Sequence, residues 1–186
     1  RCLNRWVSTT VPARMMAGFV FDDARRRALV FGGITSHGEY TTSTWDWDGA
    51  SWTERLPIEL PPPLSGPAMA FDPLRGRTVM LHYDGHWEFD GTAWLKRPIA
   101  TVPPPRNHAA MTWDSVRQRL LLFGGVSQVL RNDTWEWNGL AWTERVVTPA
   151  PPARRDPGVA MDRLRGRVVL FGGSGAAGPH GDTWEW

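Results

Sequence analysis

The chain has 186 residues, of which 41% are hydrophobic and 22% charged, a composition typical of a folded globular domain and not of a disordered or fibrous chain. With one cysteine, Cys2, no intramolecular disulfide and no cysteine-rich zinc site can form. The formal net charge of +2 is too small for the concentrated basic surface of a nucleic-acid-binding protein, and the longest apolar runs are too short to span a bilayer.

Four copies of one repeat run along the chain in a fixed spacing. An aspartate follows an aromatic or apolar residue in each copy, at Asp22, Asp72, Asp114 and Asp162, and an arginine follows five residues later. The copies cover roughly residues 12–60, 61–102, 103–150 and 151–186, with an additional strand in residues 1–11. Self-similarity at this period indicates an array of equivalent structural units.

Each copy predicts four short strands, named a to d. In the first copy strand a runs from about Met16 to Phe21, b from about Arg27 to Phe31, c from about Thr44 to Trp47 and d from about Trp52 to Leu56. An Asp-Gly or Asn-Gly pair separates strands c and d in the first three copies, which is the strongest short signal for a hairpin with a type I′ turn. The tryptophans fall in repeat columns, and we interpret them as packing between neighbouring repeats.

The pattern resembles the Kelch repeat, a four-stranded blade of a β-propeller. The resemblance is carried by the apolar residue and Gly-Gly that end strand b, as in Phe31-Gly32-Gly33, and by a Thr-Trp-Glu-Trp variant of the motif in strand c, as at residues 134–137. The second copy lacks the glycine pair and has His82-Tyr83 there. The resemblance implies an all-β fold over residues 1–186: one Kelch-type propeller domain with about four blades of four antiparallel strands.

The fourth copy reaches Trp186 without a strand d, while Arg5-Trp6 precedes Pro12-Ala13-Arg14 much as Ala141-Trp142 precedes Pro152-Ala153-Arg154. We therefore predict that an N-terminal strand with Trp6 completes the fourth blade and closes the ring. Two alternatives stay open: a fragment of a larger propeller, or a homodimer in which two copies complete one ring of eight blades.

Ligand binding is expected on the face that carries the long b–c and d–a connections. Arg14, Arg106 and Arg154 occupy one column, and a ring of guanidinium groups there would hold a carboxylate, a phosphate or an acidic peptide. The alternative is that each arginine bonds to loop carbonyls and locks the d–a link. The other candidate ligand-binding residues are His37, Tyr40, His82, Tyr83, Arg131 and His180.

No metal site, cofactor or catalytic constellation is expected. His82 and His86 flank Asp84, but so short a segment does not supply the three or four converging ligands of a divalent metal site. Kelch propellers of the galactose oxidase type imply a Tyr/His copper site, and this chain has only two tyrosines. No Gly-x-Ser-x-Gly elbow is present.

The predicted function is therefore a non-catalytic binding or scaffold propeller that recognises a protein segment or a glycan, without a nucleic-acid or membrane partner. The alternative is a carbohydrate-active Kelch enzyme, a sugar isomerase or an oxidase-like protein, using an acid/base pair such as Glu39 or Glu59 with His37. Residues 1–6 contain no apolar segment of a signal peptide, and the sequence does not fix the compartment.

Overall fold

The structure is a computed structural model that describes residues 9–186. Within this range the chain forms β-strands and turns and no α-helix, which confirms the all-β prediction. In residues 9–186 there is accordingly no helix of the length and apolarity needed to cross a membrane.

Most strands form four antiparallel sheets of three or four strands, which are arranged as the four blades of a β-propeller, and the remaining strands form two two-stranded ladders in the loops. The first blade and its loops contain β1 (Arg14–Met15), β2 (Gly18–Asp22), β3 (Arg27–Phe31), β4 (Ile34–Thr35), β5 (Thr44–Trp47) and β6 (Trp52–Arg55). The second contains β7 (Ala68–Asp72), β8 (Arg77–His82), β9 (Gly85–Phe89) and β10 (Trp94–Arg97). The third contains β11 (Ala110–Asp114), β12 (Arg119–Phe123), β13 (Thr134–Trp137) and β14 (Trp142–Arg145). The fourth contains β15 (Gly158–Asp162), β16 (Arg167–Phe171), β17 (Ser174–Gly175), β18 (Gly178–Pro179) and β19 (Thr183–Glu185).

Each blade is a simple meander from strand a to strand d. The strand orders are β2-β3-β5-β6, β7-β8-β9-β10, β11-β12-β13-β14 and β15-β16-β19. The fourth blade thus has three strands within residues 9–186. The predicted closing strand around Trp6 lies outside the described residues and stays a prediction.

The predicted strand limits hold closely. In the first blade strands b and c have the predicted bounds, Arg27–Phe31 and Thr44–Trp47, and strand d begins at Trp52 as predicted. Strand a begins later than predicted, at Gly18, because Met16 has a φ of 54° and a left-handed residue interrupts an extended strand.

The c–d hairpins are present, but their turn is not of the predicted type. In the first blade four residues connect β5 to β6, and Gly49 has a positive φ while Asp48 does not. Asp48 Oδ1 instead accepts hydrogen bonds from the backbone N–H groups of Ala50 and Ser51, both at 2.8 Å. The side chain forms an Asx-turn, which tolerates the wider loop.

Neighbouring blades bury large apolar side chains between them. The innermost strands β2, β7, β11 and β15 contact one another in that order. Between the first two blades Leu29 and Phe31 pack against Met69, Met80 and Trp94, all buried. Trp142 is buried in the corresponding position between the second and third blades. The predicted role of these tryptophans in packing between repeats is confirmed for both.

Each blade has two faces, which we call leading and trailing. The leading face is directed toward the preceding blade and carries Met69 and Phe71 in the second blade; the trailing face is directed toward the next blade and carries Ala68 and Ala70. At the two ends of the series these faces are uncovered within the described residues, where β2 and β15 do not contact each other.

Candidate functional site

The arginine column lies where each d–a link enters the next blade. Arg106 donates from Nη1 and Nη2 to Asp133 Oδ1 and Oδ2 at 2.6 and 2.7 Å, from Nη1 to the carbonyl of Gly124 at 3.1 Å and from Nε to that of Pro104 at 2.9 Å. Its side chain is fully buried. Four of the five guanidinium N–H donors are thus used, and because the side chain is buried the group is not accessible to a ligand.

Arg154 repeats this arrangement in the fourth blade. It donates to Asp182 Oδ1 and Oδ2 at 2.5 and 2.7 Å and to the carbonyls of Gly172 and Pro152 at 2.8 and 2.9 Å. Arg14 is half-buried and donates to Ser43 Oγ at 2.8 Å and to the carbonyls of Gly32 and Pro12.

These bonds correspond to the structural alternative for the arginine column. All three arginines bond to loop carbonyls and hold the d–a link against the end of strand b, and Arg106 and Arg154 are buried. In the second blade the equivalent residue is Leu64. Its carbonyl accepts a hydrogen bond from Gly33 N–H, just as the carbonyl of Arg154 accepts one from Gly125 N–H. The column is thus not a continuous ring of arginines.

The partner carboxylates are shifted toward their charged form. Burial alone would raise the pKa of Asp133, but hydrogen bonds from Arg106 and Trp135 outweigh it and hold that pKa below its usual value. Hydrogen bonds from Arg154 and then from Trp184 hold the pKa of Asp182 well below its usual value. Both pairs are therefore ionic at neutral pH.

A ladder of left-handed residues joins the four blades at the inner end of the links. Met16, Gly66, His108 and Asp156 occupy equivalent positions with φ between 53° and 62°. Gly66 N–H donates to the Met16 carbonyl at 2.7 Å, His108 N–H to the Gly66 carbonyl at 2.7 Å, and Asp156 N–H to the His108 carbonyl at 2.8 Å. This ladder fixes the relative height of the blades.

A cleft of about 310 Å³ opens beside this ladder, and we call it the axial cleft. It is lined in pairs by all four blades: Met16 and Ala17, Gly66 and Pro67, His108 and Ala109, and Asp156 and Pro157. His108 Nδ1 lies 2.7 Å from Asp156 Oδ1, and the Asp156 side chain is 57% exposed. A Cβ on Gly66 would lie 2.6 Å from the His108 ring, so this position admits the ring only because it is glycine.

The sequence analysis missed this pair. Nothing in the repeat spacing shows that His108 and Asp156, 48 residues apart, meet across two blades. The available signal was their position: each stands two residues before strand a of its blade.

A strip of apolar side chains runs outward from the cleft over the first blade, and we call it the loop stripe. Met15 pairs with Ile34 in the β1–β4 ladder, and Ile34 forms a bridge to Tyr40. Directly opposed residues of antiparallel strands carry their side chains on the same side. Met15 and Tyr40 are each 58% exposed.

Two other blades build the same small platform with different residues. The equivalent positions are Asn107, Val126 and Leu130 in the third blade and Arg155, Ser174 and Pro179 in the fourth. In the second blade β8 connects directly to β9 by a tight turn, so the platform is missing there. The long-loop face is therefore most apolar over the first blade.

The tight turn of the second blade brings together two predicted ligand-binding residues. His82 is buried, with Nδ1 2.5 Å from Asp84 Oδ1, while Tyr83 is exposed and its ring lies 4.1 Å from the His82 ring. Asp84 also accepts hydrogen bonds from Trp87 Nε1 and Lys96 Nζ. Burial lowers the pKa of His82, so the ring is neutral at physiological pH.

His86 has different hydrogen-bond partners from His82. Its Nδ1 accepts a hydrogen bond from Trp142 Nε1 at 2.9 Å, so the ring proton is on Nε2, which lies 3.2 Å from Glu88 Oε1. The two histidines therefore serve different contacts. Across the described part of the chain no three His, Cys, Asp or Glu side chains converge in a way that would hold a metal ion.

The remaining candidates lie in the loops of three different blades. His37 is exposed, and its backbone N–H donates to Thr35 Oγ1. Arg131 and His180 are half-buried, and their backbone N–H groups donate to the carbonyls of Gly125 and Gly173. The structure does not bring these three side chains together, and their role in binding stays a prediction.

A scan against protein-family models and a search of curated proteins each found no match for this chain.

Proposed function

We propose that this protein is a non-catalytic binding propeller with blades of the Kelch type, and that it recognises a protein segment on the face that carries the b–c and d–a connections. The observation that carries the proposal is the position of the exposed loop stripe beside the axial cleft. Met15 and Met16 are consecutive, so the stripe and the cleft form one continuous surface.

The side chains of this surface suit a peptide ligand. Met15, Met16 and Tyr40 are each more than half exposed, and adjoining apolar side chains of this exposure on a rigid scaffold mark interaction sites. Methionine adapts its shape to apolar partners, and tyrosine adds area with a polar end.

The electrostatics of the cleft define the second half of the ligand. The exposed carboxylate of Asp156 is held by His108 and keeps lone pairs directed to solvent. A lysine, an arginine or an N-terminal amine is the natural partner of such a group. We therefore propose a segment that places apolar side chains on the loop stripe and a cationic group at Asp156.

The Kelch assignment is supported by the role of the glycine pair. In the first blade the N–H of Gly33 donates to the Leu64 carbonyl at 2.9 Å, which joins the end of strand b to the link that enters the next blade. The third blade repeats this bond from Gly125 to Arg154.

The competing proposal is a carbohydrate-active enzyme that uses His108 and Asp156 as its acid/base pair. The pair lies in a cleft at hydrogen-bond distance, as general acid/base catalysis requires. Glu39 and Glu59, the carboxylates considered from the sequence, are both exposed and no side-chain hydrogen bond joins either to His37 in the described residues.

An array of peptides and glycans, probed with the full chain, tests the proposal, and titration calorimetry then measures the affinity for the best ligands. We expect selection of peptides that combine apolar and basic residues. Tyr40→Ala with Met15→Ser is expected to lower the affinity at least ~10-fold, which corresponds to about 1.4 kcal/mol.

Leu140→Ser is the matched control, because Leu140 is 80% exposed in a c–d turn, away from the long-loop face. Equal affinities for the stripe variant and the control would refute the proposed site. Turnover of free sugars that is abolished by His108→Ala would instead support the enzyme.

A further inference from the structure

We propose that Arg14, Thr41 and Ser43 of the first blade form a binding site for a phosphate group, carried by inorganic phosphate or by a small phosphate monoester. The three residues lie where the d–a link meets the loop before strand c, and we call this place the link corner. It shares no residue with the loop stripe or the axial cleft, so it is independent of the proposed peptide ligand.

An arginine in the link is matched by a carboxylate in the third and fourth blades. There the arginine binds both carboxylate oxygens of the aspartate that precedes Thr-Trp, Asp133 or Asp182. The second blade has neither group, since Leu64 and Gly85 stand at these two positions. In these three blades the arginine and the carboxylate are thus present together or missing together.

The first blade keeps the arginine but not the carboxylate. Ser43 stands in the position of Asp133, and Arg14 Nη1 donates to Ser43 Oγ at 2.8 Å. The other hydrogen bonds of the Arg14 side chain within residues 9–186 are to two backbone carbonyls. Arg14 therefore holds the link as the other arginines do, but in the place of the anion it has only a hydroxyl group.

The charged groups around the link corner differ by one negative charge between the first and third blades. At equivalent positions the third blade has three arginines and three acidic residues, whereas the first has three arginines and two acidic residues. In both blades the arginines of strands b and d bind the carboxylate of strand c. The first blade thus keeps one arginine without a matching acid. The two sets are Arg106, Arg119 and Arg145 with Asp133, Glu136 and Glu144, and Arg14, Arg27 and Arg55 with Asp46 and Glu54.

The surroundings of Arg14 disfavour its charge. Burial lowers the pKa of the Arg14 guanidinium group, and the negative charge of Glu54 opposes this shift without cancelling it. An anion in contact with such a group stabilises its charged form. Glu54 does not exclude a second anion, because the equivalent Glu144 is present beside Asp133 in the third blade.

The hydroxyl groups of the link corner supply further donors. Thr41 Oγ1 lies 3.1 Å from Ser43 Oγ and accepts a hydrogen bond of 3.1 Å from the Ser43 backbone N–H. The bond between the two hydroxyls uses one of their two protons, so the other is available for a ligand. Two hydroxyl groups beside a guanidinium group suit the several acceptor oxygens of a phosphate, which binds arginine in bidentate fashion.

An open cleft gives a ligand access to Ser43. It has a volume of about 180 Å³ and is lined by Thr41 and Ser43, by Glu54 and Arg55 of strand d, and by Leu60 of the following link among others. A cavity of about 10–15 Å³ holds one water molecule, so this cleft has room for a phosphate group. The Arg55 side chain is 31% exposed and adds a second cation at the cleft.

Urea unfolding of the full chain, in increasing inorganic phosphate and in chloride of equal ionic strength, tests the proposal. Phosphate that binds only the folded protein raises the folding equilibrium constant by the factor 1 + [L]/Kd, about 10-fold at ten times Kd. Phosphate also stabilises proteins because it is excluded from their surface. That effect is the same in closely related variants, so the difference between variants is the readout.

Ser43→Asp places the missing carboxylate in the link corner. In chloride it is expected to raise the folding equilibrium constant at least ~10-fold, because hydrogen bonds between charged groups replace a bond to a hydroxyl. It should also lose the saturable response to phosphate. Thr42→Asp is the matched control, since it adds the same charge one residue away, and it should keep that response. A response of Ser43→Asp equal to that of the parent protein would overturn the proposal.

Arg14→Gln tests whether the anion binds the arginine. In the parent protein it should abolish the saturable response to phosphate. Combined with Ser43→Asp it should remove most of the gain in stability that Ser43→Asp gives alone. A gain that survives Arg14→Gln would overturn the pairing, and circular dichroism verifies that each variant keeps its strands.

Titration calorimetry distinguishes the two sources of the phosphate group. Inorganic phosphate and glycerol 3-phosphate are titrated separately into the parent protein and into Ser43→Asp. Tighter binding of the ester assigns the site to a phosphorylated small molecule, and equal or weaker binding assigns it to free phosphate. Binding of neither probe to the parent protein, or equal binding to Ser43→Asp, would overturn the proposal.

Discussion

Replacing Arg106 by alanine should destabilise the protein far more than the same change at Arg14. Both arginines hold a d–a link through two carbonyls, but Arg106 also holds Asp133 with two hydrogen bonds of 2.6 and 2.7 Å, where Arg14 has only the hydroxyl of Ser43. The Arg106 side chain is fully buried and that of Asp133 is 16% exposed, so the alanine variant leaves a carboxylate buried without its cation.

The magnitude follows from this difference. Removing one partner of a buried ion pair costs about 3–5 kcal/mol, whereas losing the hydrogen bonds of a half-buried guanidinium group to uncharged acceptors costs about 1.5–3 kcal/mol. We therefore expect Arg106→Ala to lower the free energy of unfolding by about 2 kcal/mol more than Arg14→Ala. Urea unfolding followed by tryptophan fluorescence measures both, at one protein concentration so that any association contributes equally.

A second pair of variants separates the effect of the unpaired charge from the effect of the lost packing. In an Asp133→Asn background Arg106→Ala should cost less, because the amide left behind carries no charge and its oxygen still accepts from Trp135 Nε1. Equal losses for Arg106→Ala and Arg14→Ala, or an unchanged loss in the asparagine background, would refute the reasoning.

The contribution of Asp133 also depends on pH. The pKa of Asp133 in the folded protein lies below the value of about 3.9 that aspartate has in an unfolded chain. The ionised carboxylate therefore stabilises the fold fully above about pH 3.9, and this stabilisation is lost as the pH falls through the pKa of the folded protein. The difference between the parent protein and Arg106→Ala should therefore shrink on acidification below about pH 4.

Three further substitutions test individual contacts. Burial lowers the pKa of His82 in the folded protein, so stability should fall as the pH drops below the pKa of about 6.5 that histidine has in an unfolded chain. His82→Phe should flatten this dependence of stability on pH between about pH 7 and 5. An unchanged slope would contradict the prediction. Trp142→Phe should cost about 1–3 kcal/mol in urea unfolding, because it leaves Nδ1 of the buried His86 without a donor; a cost below about 0.5 kcal/mol would contradict it. Gly66→Ala should destabilise by about 1–2 kcal/mol, through its φ of 62° and the contact with the His108 ring, and His108→Ala in the same protein should recover part of that loss.

Much of the blade could be predicted because its signals are local. The alternation in Thr44–Trp47 and the apolar run in Arg27–Phe31 each fix a strand and its faces without information from elsewhere in the chain. The repeated aspartate acts locally as well, because Asp22 Oδ1 accepts a hydrogen bond at 2.9 Å from the backbone N–H of Arg25, three residues later.

The site could be predicted only in part because its contacts are not local. The aspartate before Thr-Trp in the third blade meets the arginine of the d–a link, Arg106, only after three strands have paired. Without that contact the arginines appeared free for a ligand. Met16 illustrates a second limit: its left-handed backbone accompanies a hydrogen bond from the N–H of Gly66, 50 residues later, and methionine gives no sign of this conformation in the sequence.

The one-sided cover of the end blades has a kinetic consequence. Within residues 9–186, opening a middle blade disrupts two apolar interfaces, whereas opening the first or fourth blade disrupts one, so fluctuations that expose backbone amides should begin at the ends of this series. In native-state hydrogen exchange the amides of β3 and β16 should lose protection before those of β8 and β12.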